Sequence, residues 1–204
     1  MKAILMSIRP QHLVNILNGK KTIELRKSFP NDYRGWVYAY CTKSIRGKPT
    51  LIRSAFNHSY RLGTCYVDGF EINLAGKVVY RFWVDKVNTY YVVGNMIWLL
   101  NAENNHVGSS NKIEQDILDK SCVSLEDFKN YAKPINDKQK RLFAIHISKL
   151  EIFDKPKELG EFYYYTKRLI DCGMDCPPYF DEVKTQVRKA PQSWQYIYIK
   201  EEKL

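Results

Sequence analysis

The chain has 204 residues, 45% of them hydrophobic and 14% aromatic, with 32 Lys/Arg against 22 Asp/Glu for a net charge of +10. That excludes a disordered chain and a disulfide-stapled miniprotein: the length suits one domain with its own apolar core. No apolar run approaches membrane-spanning length, so no membrane partner is expected.

Residues Ala3–Ile8 read as a first strand. Pro10 opens a short helix, as proline in a first turn can, and Leu13, Ile16 and Leu17 share one face at helical spacing. Asn18-Gly19 supplies the stop, with glycine free to take a left-handed cap. Thr22–Lys27 is a strand in which Ile23 and Leu25 point one way and Thr22, Glu24 and Arg26 the other. After the turn at Pro30-Asn31-Asp32, Trp36–Cys41 is a strong strand, with Trp36, Tyr38 and Tyr40 on one face and Val37, Ala39 and Cys41 on the other.

Residues 44–74 have no clear period and read as an insertion that begins with a basic loop, Lys43–Pro49. Gly76–Val87 is a strand rich in Val, Tyr, Phe and Trp. Residues 94–133 are expected to be mostly helical, with starts at Asn111 (paired with Glu114) and Ser124 (paired with Asp127), and Pro134 closes that segment. Leu142–Ser148 is a strand continuing toward Phe153, Pro156–Ile170 a helix, 171–193 turn-rich, and Gln195–Ile199 a last strand. Strands separated by turns, without a regular alternation with helices, predict an α+β domain, and strands of this kind can close a small barrel.

The charge is localised. Residues 1–61 hold 12 Lys/Arg and 2 Asp/Glu, whereas the remaining 20 basic and 20 acidic groups cancel. The whole excess lies on the segment that contains Gly19–Arg26, and such a field attracts polyanions such as RNA or DNA. Lys21 and Arg26 are suited to phosphate, Glu24 to an exocyclic amine, and Tyr38 or Tyr40 to stacking on a base. The opposing reading of Glu24 and Arg26 is an ion pair that serves the fold alone. His146 and Trp194 read as packing residues rather than as an acid–base group and a base platform.

Five cysteines, an odd number at scattered positions, point to a reduced, cytoplasmic protein. Cys172 and Cys176 have three residues between them and no second pair, so no zinc site is expected, and no metal or cofactor.

Ser7-Ile8-Arg9-Pro10, an amphipathic turn, and then Gly19-x-Lys21-x-x-Glu24-x-Arg26 resemble the ASCH domain, a branch of the PUA-like superfamily. All four positions of the Gly-x-Lys-x-x-Glu-x-Arg signature match. Ala144–Ser148 and Pro191–Trp194 also resemble the late strands of bacterial and prophage ASCH proteins. The resemblance implies a single PUA-like domain over residues 1–204, a five- or six-stranded mixed pseudo-β-barrel with flanking helices and elaborations near 44–74 and 160–188. It implies a cleft lined by the signature residues beside the first helix; Ser7, Arg9, Lys21, Glu24, Arg26 and Tyr40 are the expected ligand-binding residues, with RNA, another nucleic acid or a nucleoside-like ligand as partner. Some members hydrolyse N4-acetylcytidine and ribonuclease activity is associated with others; a hydrolase of this kind would rest on Lys21 and Glu24. The amidohydrolases look to use Lys, Thr and Glu, however, and here the threonine position is Glu24, with Thr22 at the wrong spacing from Lys21. Binding is therefore the expectation, ahead of catalysis.

Overall fold

A computed structural model describes residues 1–43, 51–53, 60–62, 66–67, 70–94, 96–100, 106–170 and 179–199. The basic loop expected after Lys43 and three of the cysteines (Cys65, Cys172 and Cys176) lie outside these residues.

The first strand, β1 (Lys2–Ile8), is apolar on both faces, because it lies mid-sheet between a parallel and an antiparallel neighbour. The parallel neighbour is β3 (Gly35–Cys41) and the antiparallel one β15 (Trp194–Tyr198). Between β1 and β3 come helix α1 (Pro10–Leu17) and the short strand β2 (Ile23–Arg26). Two long strands form the spine: β8 (Val78–Val93) and β12 (Gln139–Lys157), antiparallel to each other with interruptions in register. Because they are long, each serves different neighbours at its two ends. β8 pairs with β3 near its start and with β9 (Met96–Leu100) near its end. β12 holds β2 and then β11 (Lys133–Pro134) along its far side.

With β10 (His106–Gly108), β13 (Tyr163–Ile170) and β14 (Tyr179–Gln186), these make one mixed sheet of eleven strands. The fold is α+β, as expected. The sheet is larger than five or six strands, however, and among the described residues its pairings do not close into a ring. Four short strands, β4 (Leu51–Arg53), β5 (Tyr60–Leu62), β6 (Tyr66–Val67) and β7 (Phe70–Asn73), pair separately within the 44–74 segment, and β4 and β5 approach α1.

Both sheet faces are covered. One cluster (Ile4, Met6, Val37, Ala39, Phe82, Phe143) packs with Leu13 and Ile16 of α1. A second (Ile23, Leu25, Tyr90, Leu142, Ala144) packs against helices α2 (Asn111–Ser121) and α3 (Leu125–Tyr131) through Ile117 and Phe128. A third contains Leu5, Tyr38, Tyr40 and Phe162. The alternation read from 36–41 is thus realised, Tyr38 and Tyr40 facing one cluster and Val37, Ala39 and Cys41 another. No helix among the described residues is long and apolar enough to cross a membrane.

Several local expectations are corrected. Among the described residues of 94–133, only 111–121 and 125–131 are helical, whereas 96–100 and 106–108 are strands. The N-cap of α2 is Ser110 rather than Asn111: its hydroxyl accepts the Ile113 amide at 3.2 Å. Ser124 does cap α3, accepting the Asp127 amide at 3.0 Å. Pro156–Ile170 is not a helix; β12 runs to Lys157, one 3-10 turn covers Leu159–Glu161, and β13 follows. The run Tyr163-Tyr164-Tyr165-Thr166 favours a strand, and β13 finds a full-length partner in β14, which occupies much of the segment expected to be turns.

Candidate functional site

The signature becomes a site through two helix ends. α1 stops in a Schellman cap: Gly19 has φ +68°, its amide bonds to Ile16 O, and the Lys20 amide bonds to Asn15 O. α2 ends in the same arrangement, with the Cys122 amide on Asp119 O and the Val123 amide on Leu118 O. There Cys122 occupies the left-handed position usually held by glycine, at φ 52°. The two stops face each other: Thr22 N donates to Lys120 O, and Cys122 Sγ lies 3.3 Å from Lys20 O. Lys21 enters this junction. Its Nζ donates to Ser121 O at 2.6 Å, the last residue of α2, where the helix dipole favours a cation.

From Lys21 the chain runs into β2, whose only strand partner among the described residues is β12, leaving the other edge open. Ile23 and Leu25 face the α2–α3 side, while Glu24 and Arg26 lie on the opposite face with Ile145 and Phe143. Arg26 Nη1 is 2.6 Å from Glu24 Oε1, and Lys21 Nζ is 3.4 Å from Glu24 Oε2. Arg26 also donates to Leu25 O at 3.2 Å and to Ser7 O at 2.7 Å; the Ser7 hydroxyl in turn donates to Pro191 O at 2.6 Å.

All three charged residues are buried, Lys21 at 3%, Glu24 at 2% and Arg26 at 8% exposure. Burial alone would raise the Glu24 pKa, but Arg26, Lys21 and His12 together outweigh it and hold the carboxyl below its ordinary value. His12 is shifted down as well, first by burial, with Lys21, Arg26 and Arg9 adding to the effect and Glu24 opposing it. Two buried atoms of the cluster are weakly served. Glu24 Oε2 has only the 3.4 Å ion contact with Lys21, and Arg26 Nε donates to no acceptor.

The cluster lies along a cavity of about 770 Å³ between α1, the open edge of β2 and the α2–α3 corner. Arg9 and His12 line it from α1, Lys27 and Ser28 from the end of β2, Cys122, Asp127 and Tyr131 from the corner. Tyr131 is exposed, with Lys27 Nζ 5.0 Å from its ring centre. Among charged linings, Arg9, Lys21, Arg26 and Lys27 outnumber Glu24 and Asp127 by two.

Five of the six residues expected to bind ligand therefore meet here: Ser7, Arg9, Lys21, Glu24 and Arg26. Tyr40 does not. It lies on the opposite sheet face and lines a separate depression of about 380 Å³ with Lys43 and Glu158. Thr22 is exposed and outside the cavity. His146 is half-buried behind the sheet, its Nε2 3.1 Å from Asn88 Nδ2, and the Trp194 indole donates to Ser28 O at 2.7 Å while its ring packs on Phe29. The sequence reading missed His12, Cys122 and Tyr131. His12 carried no signal beyond lying two residues after Pro10; Tyr131 could have been found by following the α3 start at Ser124 for two turns.

No protein-family model matches the chain, and no curated protein matches it. Two solved structures are similar to it. One is ASCH from Zymomonas mobilis, 13% identical, with 77% of this chain and 73% of that one covered and a TM-score of 0.45. The other is a tyrosine-to-phenylalanine mutant of the Zymomonas mobilis protein, 12% identical, with 78% and 77% covered and a TM-score of 0.44. Both bear the name of the family that the Gly19–Arg26 signature resembles.

Proposed function

We propose that this cleft binds a nucleobase carrying an exocyclic amine, presented by RNA or by a nucleotide-like ligand. The observation that carries the reading is the buried charged pair that lines the cavity: an ionised Glu24 carboxylate, one oxygen of which has only a long contact with Lys21, and Arg26, whose Nε–H has no acceptor. A buried donor left without an acceptor, as Arg26 Nε is, costs roughly 1–3 kcal/mol, which a ligand's acceptor would offset. A carboxylate acceptor and a guanidinium donor on one strand face match the amine and ring-nitrogen edge of cytosine, and the exposed Tyr131 ring offers a stacking face. The excess of cations suits a phosphate on the same ligand.

Binding is favoured over hydrolysis by the state of Lys21. Its ammonium is committed to Ser121 O and to Glu24, and the one threonine in the signature does not line the cavity. The test is calorimetric titration with cytidine and uridine 5′-monophosphates, which differ at the amine. Cytidine monophosphate is expected to bind tighter by about 1–3 kcal/mol. Glu24→Gln should erase that preference, and Arg26→Met should weaken both ligands. Absence of binding at low salt, or affinities unchanged in both variants, refutes the reading.

A further inference from the structure

The edge of the sheet that carries Glu24 and Arg26 does not end with the cavity. β12 holds β2 and β11 in the same lane, one after the other: Arg26 is opposite Phe143, and Lys133 is opposite Arg141. Phe143 and Arg141 are two residues apart on an uninterrupted stretch of β12, so their partners are about 7 Å apart along the lane. Directly opposed residues share a face, as do residues two apart on one strand. Arg26, Phe143, Arg141 and Lys133 therefore project from one side of the sheet, and Tyr91, opposite Arg141 on β8, joins them.

Some surface cations of this fold are matched by carboxylates, while others are not. Arg81 is paired with Glu151, Lys77 with Glu158 and Lys120 with Asp116. Among the described residues, Arg141 and Lys133 have no ion-pair partner, and Arg141 Nε is buried without a hydrogen-bond acceptor. The Arg141 guanidinium is nonetheless placed, 5.0 Å from the centre of the Phe143 ring.

We propose that Arg141 and Lys133 form a second subsite, for the phosphate of a nucleotide adjoining the one in the cleft, so that the ligand is a single-stranded polynucleotide laid along this lane. The proposal rests on the cleft reading above and adds to it the class of ligand. A guanidinium without an ion-pair partner is the group that binds phosphate in forked geometry, and Arg141 and Lys133 follow directly after Arg26 and Phe143 on the same sheet face. The half-buried Tyr91 ring beside it offers a surface on which a second base stacks.

The experiment compares cytidine 5′-monophosphate with a five-nucleotide oligocytidine, as RNA and as DNA, across a series of salt concentrations. The wild-type protein should bind the oligonucleotide at least tenfold tighter than the monophosphate at low salt. Arg141→Gln combined with Lys133→Gln should remove most of that advantage and leave the monophosphate affinity unchanged. The same pair should lower the slope of log affinity against log salt by about 0.7 for each phosphate that is no longer neutralised. Lys133→Gln alone, at an exposed position, gives the same comparison if the double variant folds poorly. An oligonucleotide that binds no tighter than the monophosphate, or a slope that stays the same in these variants, overturns the second subsite and leaves the cleft reading standing. Absence of all binding to the wild-type protein overturns both. RNA and DNA binding alike means that the lane reads phosphate only; a preference for one identifies which strand it holds.

Discussion

Replacing Glu24 by Gln is the sharpest perturbation of the cluster, because one carboxylate serves two buried cations. The side chain keeps its shape and loses its charge. With an effective dielectric constant of about 20, contacts of 2.6 Å and 3.4 Å correspond to gross attractions of roughly 6 and 5 kcal/mol. Desolvation of the three groups, several kcal/mol for each ion, offsets most of this in the wild type. The variant keeps the cost for Lys21 and Arg26 and loses the compensation, so Glu24→Gln should destabilise the fold by about 3–5 kcal/mol. Asp116→Asn, which breaks a half-exposed pair with Lys120, should cost at most about 1 kcal/mol. Urea unfolding at pH 7 measures both.

The pH dependence gives an internal check. The folded-state pKa of Glu24 lies below its ordinary 4.5, so its stabilisation is present above that value and is lost as pH falls through the lower folded value. The gap between wild type and Glu24→Gln should therefore be constant near neutrality and shrink below about pH 4.5. A cost under about 1 kcal/mol at pH 7, or a gap that does not narrow in acid, would refute the picture of a shared buried anion.

His12 should show a related dependence nearer neutrality. Its pKa is lowered from 6.5, so the folded state favours the neutral ring; wild-type stability should fall as pH drops below 6.5, and His12→Asn should lack that component in unfolding curves at about pH 7.5 and 5.5. Ser124→Ala removes the cap of the helix that brings Asp127 and Tyr131 to the cleft, and should cost about 1 kcal/mol in urea unfolding. A change of under about 0.3 kcal/mol would mean that the hydroxyl is not the acceptor described.

Much of the site was legible because its local parts obey local rules. A glycine after an amphipathic turn stops the helix, since it takes the left-handed φ without steric cost. Two-residue periodicity then puts Glu24 and Arg26 on one face, whatever the strand packs against. The same alternation separated Tyr38 and Tyr40 from Val37 and Ala39, but it could not tell which face looked toward the signature. That is why Tyr40 was expected in the cleft and lies behind the sheet. The aromatic run at 162–165 misled for a comparable reason. Pro156 and the spacing after it admit a helix start, and only pairing with β14 decides for a strand.

What the sequence by itself determined is the helix stop, the strand that follows, the facing of its charged residues and the positive field around them. These depend on backbone sterics and on charge count. Tertiary structure alone decided that Lys21 meets the end of a helix a hundred residues away, that Arg26 reaches back to Ser7, and that β2 keeps an open edge along a cavity. It also decided that β11 follows β2 in one lane, bringing Lys133 and Arg141 into line with Arg26. Those contacts depend on how β12 distributes its length among its partners, and no local pattern in the chain encodes that division.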